Sequence, residues 1–122
     1  MNHYKTPIFV TNFPLEIKAF YMPEDPNHPW TAKCSDLLAP EGFGEVIGWS
    51  QREWNYEILK QKVIDQWYDL EEYQWYLDTR KYGGVTTSGF GFGLERLVRW
   101  FCGLHHIREA IPFPRYHNRI TP

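Results

Sequence analysis

Residues Gly89-Phe90-Gly91-Phe92-Gly93 alternate glycine with phenylalanine and run without a break into Leu94-Glu95-Arg96-Leu97-Val98. Two periods meet there. In the first part, residues two apart share a face, as on a strand. In the second, Leu94, Leu97, Val98, Phe101 and Cys102 recur at helical spacing and form a one-sided apolar stripe. The pattern predicts a strand over Gly89 to Gly93 that passes straight into a helix, with Gly103 as its stop. On such a strand the glycines leave one face bare, and the phenylalanines are expected to fill a core on the other. A bare face admits a flat ring or a second backbone. The following helix N-terminus adds free N–H groups and a dipole that favour anions. Arg96, one turn in, is placed to reach back over the glycines, and a guanidinium both stacks on rings and pairs with phosphate. Gly89, Gly91, Gly93 and Arg96 therefore describe either a nucleotide pocket or a strand packed tightly under its helix with Arg96 in solvent. The pattern counts against a dinucleotide-binding loop, because the spacing is G-x-G-x-G and no βαβ unit surrounds it.

The first half of the chain reads as β. Pro7 to Thr11, Ile17 to Met22, Thr31 to Leu38 and Glu45 to Arg52 are expected strands, with a loop over Pro23 to Pro29 and a turn over Pro40 to Gly44. Strands joined by such short connections are usually antiparallel neighbours. The second half reads as helix. Trp54, Ile58, Leu59, Val63 and Trp67 sit near helical spacing over Trp54 to Trp67. Glu71 to Tyr82 is a second helix carrying Tyr73, Trp75, Tyr76 and Leu77, stopped by Gly83-Gly84. The tryptophan-rich helices are expected to build core or interface. The predicted class is α+β: an antiparallel β-sheet with helices packed on one face.

With 122 residues the chain is expected to form one domain. The 18% aromatic content argues against disorder and for large packed or stacking surfaces. A net charge of −2 gives no general attraction to nucleic acid. From Arg99 onward, however, four arginines (Arg99, Arg108, Arg115, Arg119) face one acid, Glu109. Cys34 and Cys102 fit no metal spacing and are expected as core fillers. His3, His28, His105, His106 and His117 fit no zinc pattern, and His105-His106 are expected to diverge on a helix. Met1 to Lys5 has no apolar stretch of signal-peptide type behind it, and no apolar run approaches membrane-spanning length. Cytosol is the expected compartment, with no membrane partner.

A second constellation comprises Asp36, Glu45, Ser50, Gln51 and Arg52. Two acids on adjacent antiparallel strands are able to share a Mg²⁺ with substrate phosphates. The alternative is an edge-strand acid and a surface arginine. Glu45 and Arg52 lie an odd number of residues apart, so a regular strand aims them at opposite faces. A bulge at Gly48 is expected to restore them to one face.

Taken in order, these segments resemble the C-terminal part of the class II aminoacyl-tRNA synthetase catalytic domain, asparaginyl type. Ser88 to Val98 with Ile107-Arg108-Glu109-Ala110-Ile111-Pro112-Phe113-Pro114-Arg115 is similar to motif 3 of that class. Pro7 to Pro14, Ile17 to Met22 and Asp36 to Gly42 are similar to the strands and turn before it. Gly44-Glu45-Val46-Ile47-Gly48-Trp49-Ser50-Gln51-Arg52-Glu53 resembles the family's G-E-I-I-G-G-S-Q-R-E segment. Trp75-Tyr76-Leu77-Asp78 with Arg80 and Tyr82-Gly83 resembles the helix before motif 3. The Ser-Gln-Arg-Glu and Trp-Tyr-Leu-Asp segments favour the asparagine enzyme over its aspartate sibling.

The resemblance implies ATP and Mg²⁺ as cofactors and asparagine, or aspartate, as the other ligand. It implies Glu45 as a Mg²⁺ ligand, with Asp36 as a second acid and Ser50 beside the metal. Arg52 and Ser50 would serve the amino acid. Gly89, Gly91 and Gly93 would floor the adenosine pocket, and Arg96 would stack on adenine and reach the γ-phosphate. Arg96 and Glu45 are thus the implied catalytic pair. The family's chemistry is attack of the amino-acid carboxylate on the α-phosphate of ATP, then transfer to tRNA, driven by positioning and charge neutralisation.

The sequence also departs from the family. Nothing in it resembles motifs 1 and 2 or the anticodon-binding domain. Trp49 replaces a glycine, Thr86-Thr87-Ser88 stands where Pro-His and a small residue are usual, and Glu109 stands for Asp. The expectation is a truncated or split ligase unit that is inactive alone. It would self-associate as a homo-oligomer or pair with a complementing N-terminal half, and meet tRNA only when completed by another chain. The alternatives are a non-catalytic nucleotide- or protein-binding paralogue and an asparagine synthetase-like ligase fragment.

Overall fold

Residues 40–44 make the turn that their composition predicts, closed by the Phe43 N–H donating to the Pro40 carbonyl at 3.2 Å. Gly42 and Gly44 take φ of +83° and +81°, backbone angles that disfavour side chains. The turn joins two long strands of a computed structural model that describes residues 4–121. In chain order the strands are β1 (Ile8–Thr11), β2 (Glu24–Asp25), β3 (His28–Ala32), β4 (Cys34–Ala39), β5 (Gly44–Arg52) and β6 (Thr87–Phe92). The helices are α1 (Tyr56–Asp65), α2 (Leu70–Lys81) and α3 (Leu94–Phe101). The sheet order is β1-β4-β5-β6, with β2 and β3 forming a separate antiparallel pair. The class is α+β, an antiparallel sheet with helices on one face, as the patterning predicts.

Two compact units form. One takes residues 4–10, 36–48 and 91–121; the other takes 11–35 and 49–90. Most of the buried apolar side chains lie in the second: Ala32, Cys34, Leu59, Val63 and Leu77. Leu59 and Val63 are spaced i, i+4 on α1, and Leu77 comes from α2. Asn55 caps α1 by accepting from the Glu57 and Ile58 N–H groups, and Asp69 caps α2 from Glu71. Buried Glu53 ties the unit together. Its Oε2 lies 3.4 Å from Lys62 Nζ, which also donates to the Met22 carbonyl at 2.8 Å. The Glu53 carbonyl accepts from Arg80 Nε at 3.0 Å. In the first unit the buried apolar side chains among the described residues are Ala39 and Val46.

Several expectations are corrected. The strand expected over Ile17 to Met22 is a 3-10 turn, Leu15–Ile17, and a second turn closed by Met22 N–H on the Ala19 carbonyl at 3.0 Å. Local i→i+3 bonds win there because the Phe20 ring inserts edge-on among Tyr68, Tyr73 and Tyr76. The strand expected over Thr31 to Leu38 breaks at Lys33, whose N–H donates to the Pro23 carbonyl at 2.9 Å. The segment expected as a loop, Pro23 to Pro29, includes a small hairpin, with β2 paired to β3. In its turn the Asn27 N–H donates to Asp25 at 3.0 Å and, with His28 nearby, holds that carboxyl below its ordinary range. Trp54 and Trp67 lie beyond the ends of α1 and are exposed, as is Trp75 on α2. The indoles are therefore surface groups, and the helices pack through leucine, valine and tyrosine. Cys34 is buried as expected, but Cys102 is exposed at the end of α3. His105 and His106 precede a 3-10 turn, Ile107–Ala110, and stand on no helix. His3 lies outside the described residues.

Candidate functional site

The strand-to-helix junction forms where the alternation predicts it, with Gly93 as the N-cap of α3. The Gly93 N–H donates to the Val46 carbonyl at 3.1 Å and so fixes the helix start against β5. The phenylalanines do not fill a core. Phe90 is 67% exposed and Phe92 47%. Leu94 and Phe101 are exposed as well while Leu97 and Val98 are half-buried, so the predicted stripe of α3 is present but only partly covered.

Each glycine of the strand makes room for something different. A Cβ at Gly91 would meet nothing within 4 Å. At Gly93 it would lie 3.0 Å from Cδ of Arg96 and 3.2 Å from Cγ, so the arginine stem lies along this residue. At Gly89 it would lie 3.0 Å from Nη2 of Arg52. The bare face is thus open at Gly91 and taken by arginine side chains at Gly89 and Gly93.

In the first unit Arg96 Nη1 donates to the Glu45 carbonyl at 2.8 Å and lies 3.8 Å from Glu45 Oε1. Both side chains are about half exposed, at 49% and 45%, so this loose pair contributes little to stability. What the contacts supply is a guanidinium tied to the Glu45 backbone, with its stem along Gly93. Gly48 does something its sequence position did not suggest. A Cβ there would lie 3.1 Å from Glu45 Oε1 and 3.5 Å from Asp36 Oδ1. Two carboxylates on neighbouring strands therefore converge on the gap left by one missing side chain. Among the described residues no group of three or more His, Cys, Asp or Glu is able to hold a metal. Two carboxylates that converge fit Mg²⁺, which is commonly held by one or two carboxylates plus substrate phosphates.

Beside them lies a cleft of about 470 Å³ lined by Phe43, Glu45, Arg96, Arg99, His105 and Ile107, among others. Arg99 braces it: Nη1 donates to the Phe43 carbonyl at 3.2 Å and Nη2 to the His105 carbonyl at 3.3 Å. The cleft carries two guanidiniums and one carboxylate, a balance suited to an anion.

In the second unit Arg52 and Ser50 share a face of β5. Arg52 Nη1 donates to Ser50 Oγ, and Ser50 is buried. Ser50 therefore supports the Arg52 guanidinium through its hydroxyl oxygen. The Arg52 guanidinium also lies over the Tyr21 ring, 4.7 Å from its centre. Tyr21 was missed by sequence reasoning, which read Gly48 only as a place for a bulge. Periodicity carries no trace of a ring and a guanidinium that meet across 31 residues.

The family profile of tRNA synthetases class II (D, K and N) matches residues 1–117. The chain is 56% identical over 119 residues to the asparagine–tRNA ligase of Lactobacillus helveticus, covering 98% of this chain and 28% of that protein. It is similar to the crystal structure of asparaginyl-tRNA synthetase from Pyrococcus horikoshii at a TM-score of 0.94 and 51% identity, over 99% of this chain and 29% of that one. For the Pyrococcus horikoshii enzyme complexed with asparaginyl-adenylate the TM-score is 0.92 and the identity 53%, over 95% of this chain and 27% of that one. The chain therefore spans less than a third of the length of these relatives. No helix among the described residues is long and apolar enough to cross a membrane.

Proposed function

This chain belongs to the class II tRNA synthetases of the D, K and N type, and we propose that it is the C-terminal part of an asparaginyl-type catalytic domain. It serves ATP-dependent activation of asparagine for transfer to tRNA. The observation that carries the reading is the junction of β6 and α3. There Arg96 lies along Gly93 and is pinned to the Glu45 carbonyl, on the strand whose Gly48 gap receives both acids.

The first unit holds the nucleotide. Gly91, with the start of α3, offers an open surface for a flat purine, and Arg96, whose stem lies along Gly93, covers it and reaches phosphate. Gly89, in the second unit, extends the same glycine strand but gives its own space to Arg52. Glu45 and Asp36 would hold Mg²⁺, which when bound neutralises triphosphate charge. The second unit holds the amino acid. Arg52 donates to the side-chain oxygen of asparagine, and Ser50 keeps the guanidinium in place. In the reaction a carboxylate oxygen of asparagine bonds to the α-phosphorus of ATP while the bond from that phosphorus to the β-phosphate bridge oxygen breaks. Pyrophosphate leaves with the electron pair. A tRNA hydroxyl then takes the aminoacyl group and AMP departs. No side chain of this chain is a nucleophile; its residues orient the reactants and offset charge.

The chain acts together with further polypeptide that resembles the rest of the relatives' catalytic domain. The first unit, with Ala39 and Val46 as its buried apolar side chains among the described residues, presents Phe92, Leu94 and Phe101 as a face for it. Its stabilising role for the α-phosphate and its contacts to tRNA belong to that polypeptide.

Calorimetric titration of the chain with ATP tests the nucleotide reading. Binding is expected to require Mg²⁺. Glu45→Gln and Asp36→Asn are each expected to weaken it about tenfold or more, as for loss of a charged partner. Mg²⁺-independent binding, or binding that ignores both substitutions, would contradict the assignment of these acids.

A further inference from the structure

Arg52 is held by three separate parts of the chain. Ser50, two residues back on β5, accepts from Nη1. Gly89, on β6, approaches from another side: a Cβ there would lie 3.0 Å from Nη2 and 3.6 Å from both Cζ and Nε. Tyr21, in the turn after the first 3-10 segment, presents its ring 4.7 Å from Cζ. A guanidinium that meets an aromatic face, a hydroxyl and a bare backbone has little freedom left to rotate.

The ring is itself fixed. The Tyr21 carbonyl accepts from the Glu53 N–H at 2.8 Å, which ties Tyr21 to the residue beside Arg52. Phe20 packs edge-on against Tyr21, with centroids 5.6 Å apart and planes at 76°. Phe20 in turn sits edge-on to Tyr73 and Tyr76 of α2, at 5.3 Å and 6.2 Å. Aromatic pairs in this geometry hold one another in register. An open cleft of about 470 Å³, lined by Phe20, Tyr21, Arg52, Tyr73, Trp75 and Tyr76, runs along this series. A continuous path of ring contacts therefore leads from α2 to the face of the guanidinium.

We propose that Tyr21 is a positioning residue for Arg52: with Ser50 and the empty Cβ position of Gly89, it fixes the guanidinium plane before the amino acid arrives. This rests on the reading of Arg52 as the group that holds the asparagine side chain. The consequence is specific to the amino-acid part of the ligand. An arginine that is free to swing must be ordered on binding, at a cost in affinity, and a clamped one has already lost that freedom. The clamp is built from Tyr21, Ser50 and Gly89 and uses none of the residues assigned to the nucleotide, Arg96, Glu45 and Asp36.

The test has two readouts. The first is the side-chain Nε–H resonance of Arg52 in the free chain, assigned through Arg52→Lys. The ring current of Tyr21 is expected to shift it away from the position of a solvated arginine. Tyr21→Phe keeps the shift and Tyr21→Leu abolishes it. The second is calorimetry with ATP and with a non-hydrolysable asparaginyl-adenylate analogue. Tyr21→Leu is expected to weaken the analogue about three- to tenfold, as for loss of one cation–π contact, and to leave ATP unchanged. Tyr21→Phe restores affinity. Gly89→Val, which pushes a side chain into the guanidinium from the strand side without touching the aromatic series, is expected to weaken the analogue in the same selective way.

Arg52→Ala separates the two levels of the argument. Weaker analogue binding in Arg52→Ala, with Tyr21→Leu and Gly89→Val like wild type, would overturn the clamp and leave the Arg52 assignment standing. An Arg52→Ala variant that binds the analogue like wild type would overturn both. A Tyr21→Leu variant that loses ATP and analogue affinity in equal proportion would show a general structural role and would also overturn the clamp.

Discussion

Replacing Arg96 by alanine is expected to weaken Mg·ATP binding about ten- to hundredfold, the range for losing a hydrogen bond between charged groups. The magnitude follows from how the side chain is held. Its stem fills the space beside Gly93, and Nη1 is bound to the Glu45 carbonyl at 2.8 Å. The guanidinium is therefore tied to the β5 backbone before the nucleotide arrives, which lowers the ordering cost of binding. Arg96→Lys is expected to recover only part of the loss, since an ammonium neither stacks on a ring nor forks onto phosphate. Stability should barely change, because the Arg96 side chain is 49% exposed and its ion pair to Glu45 is loose. Isothermal titration for affinity and urea denaturation for stability, run on the same protein, separate the two effects. A large loss of stability with unchanged affinity would assign Arg96 to the fold and remove it from the site.

The second large effect concerns stability alone. Lys62→Met is expected to destabilise the chain by about 2–3 kcal/mol, below the 3–5 kcal/mol seen when a fully buried pair is broken. Glu53 is only 7% exposed at its side chain, while Lys62 is 22% exposed, so solvent softens the loss from the lysine end. Removing the ammonium leaves the Glu53 carboxylate with the Asn55 N–H at 3.2 Å as its described partner. It also leaves the Met22 carbonyl without its donor. A double substitution, Lys62→Met with Glu53→Gln, is expected to restore part of the stability, because the stranded charge is then gone. Urea midpoints of the four proteins in this cycle check the claim. A loss in the double variant equal to the sum of the two single losses would show that the residues act independently.

The parts of the fold that could be read in advance are those whose signal is local. The 40–44 turn was legible because glycines are needed where φ is positive, at Gly42 and Gly44. The β6–α3 junction was legible because a period of two gives way to a helical period at Gly93. The segment Ile17 to Met22 was not, since its apolar run is equally compatible with a strand and with a turn that feeds rings into a distant helix. What decided it is the contact of Phe20 with Tyr73 and Tyr76, more than 50 residues away in the chain. The exposed phenylalanines of β6 carry a related lesson. Alternation says which side chains share a face, and a face finds cover only where other chain lies against it.

The candidate site divides the same way. Arg96, Glu45 and the glycines stood out from spacing and from family resemblance. The bulge expected at Gly48 was an argument from strand parity. What the structure adds is a different use for that glycine: an empty position toward which two carboxylates turn. Tyr21 had no signal at all, because its importance comes from a ring placed under a guanidinium by a backbone bond to Glu53.

On the proposed reading the purine falls to Gly91 and Arg96 in one unit, and the amide to Arg52 in the other. Each assignment carries its own loss of affinity. Titration of wild type, Arg96→Ala and Arg52→Ala with Mg·ATP and with free asparagine measures both directly. The expected result is Mg·ATP binding weakened by Arg96→Ala and spared by Arg52→Ala, with the reverse for asparagine. Mg·ATP binding that ignores Arg96→Ala would contradict the account.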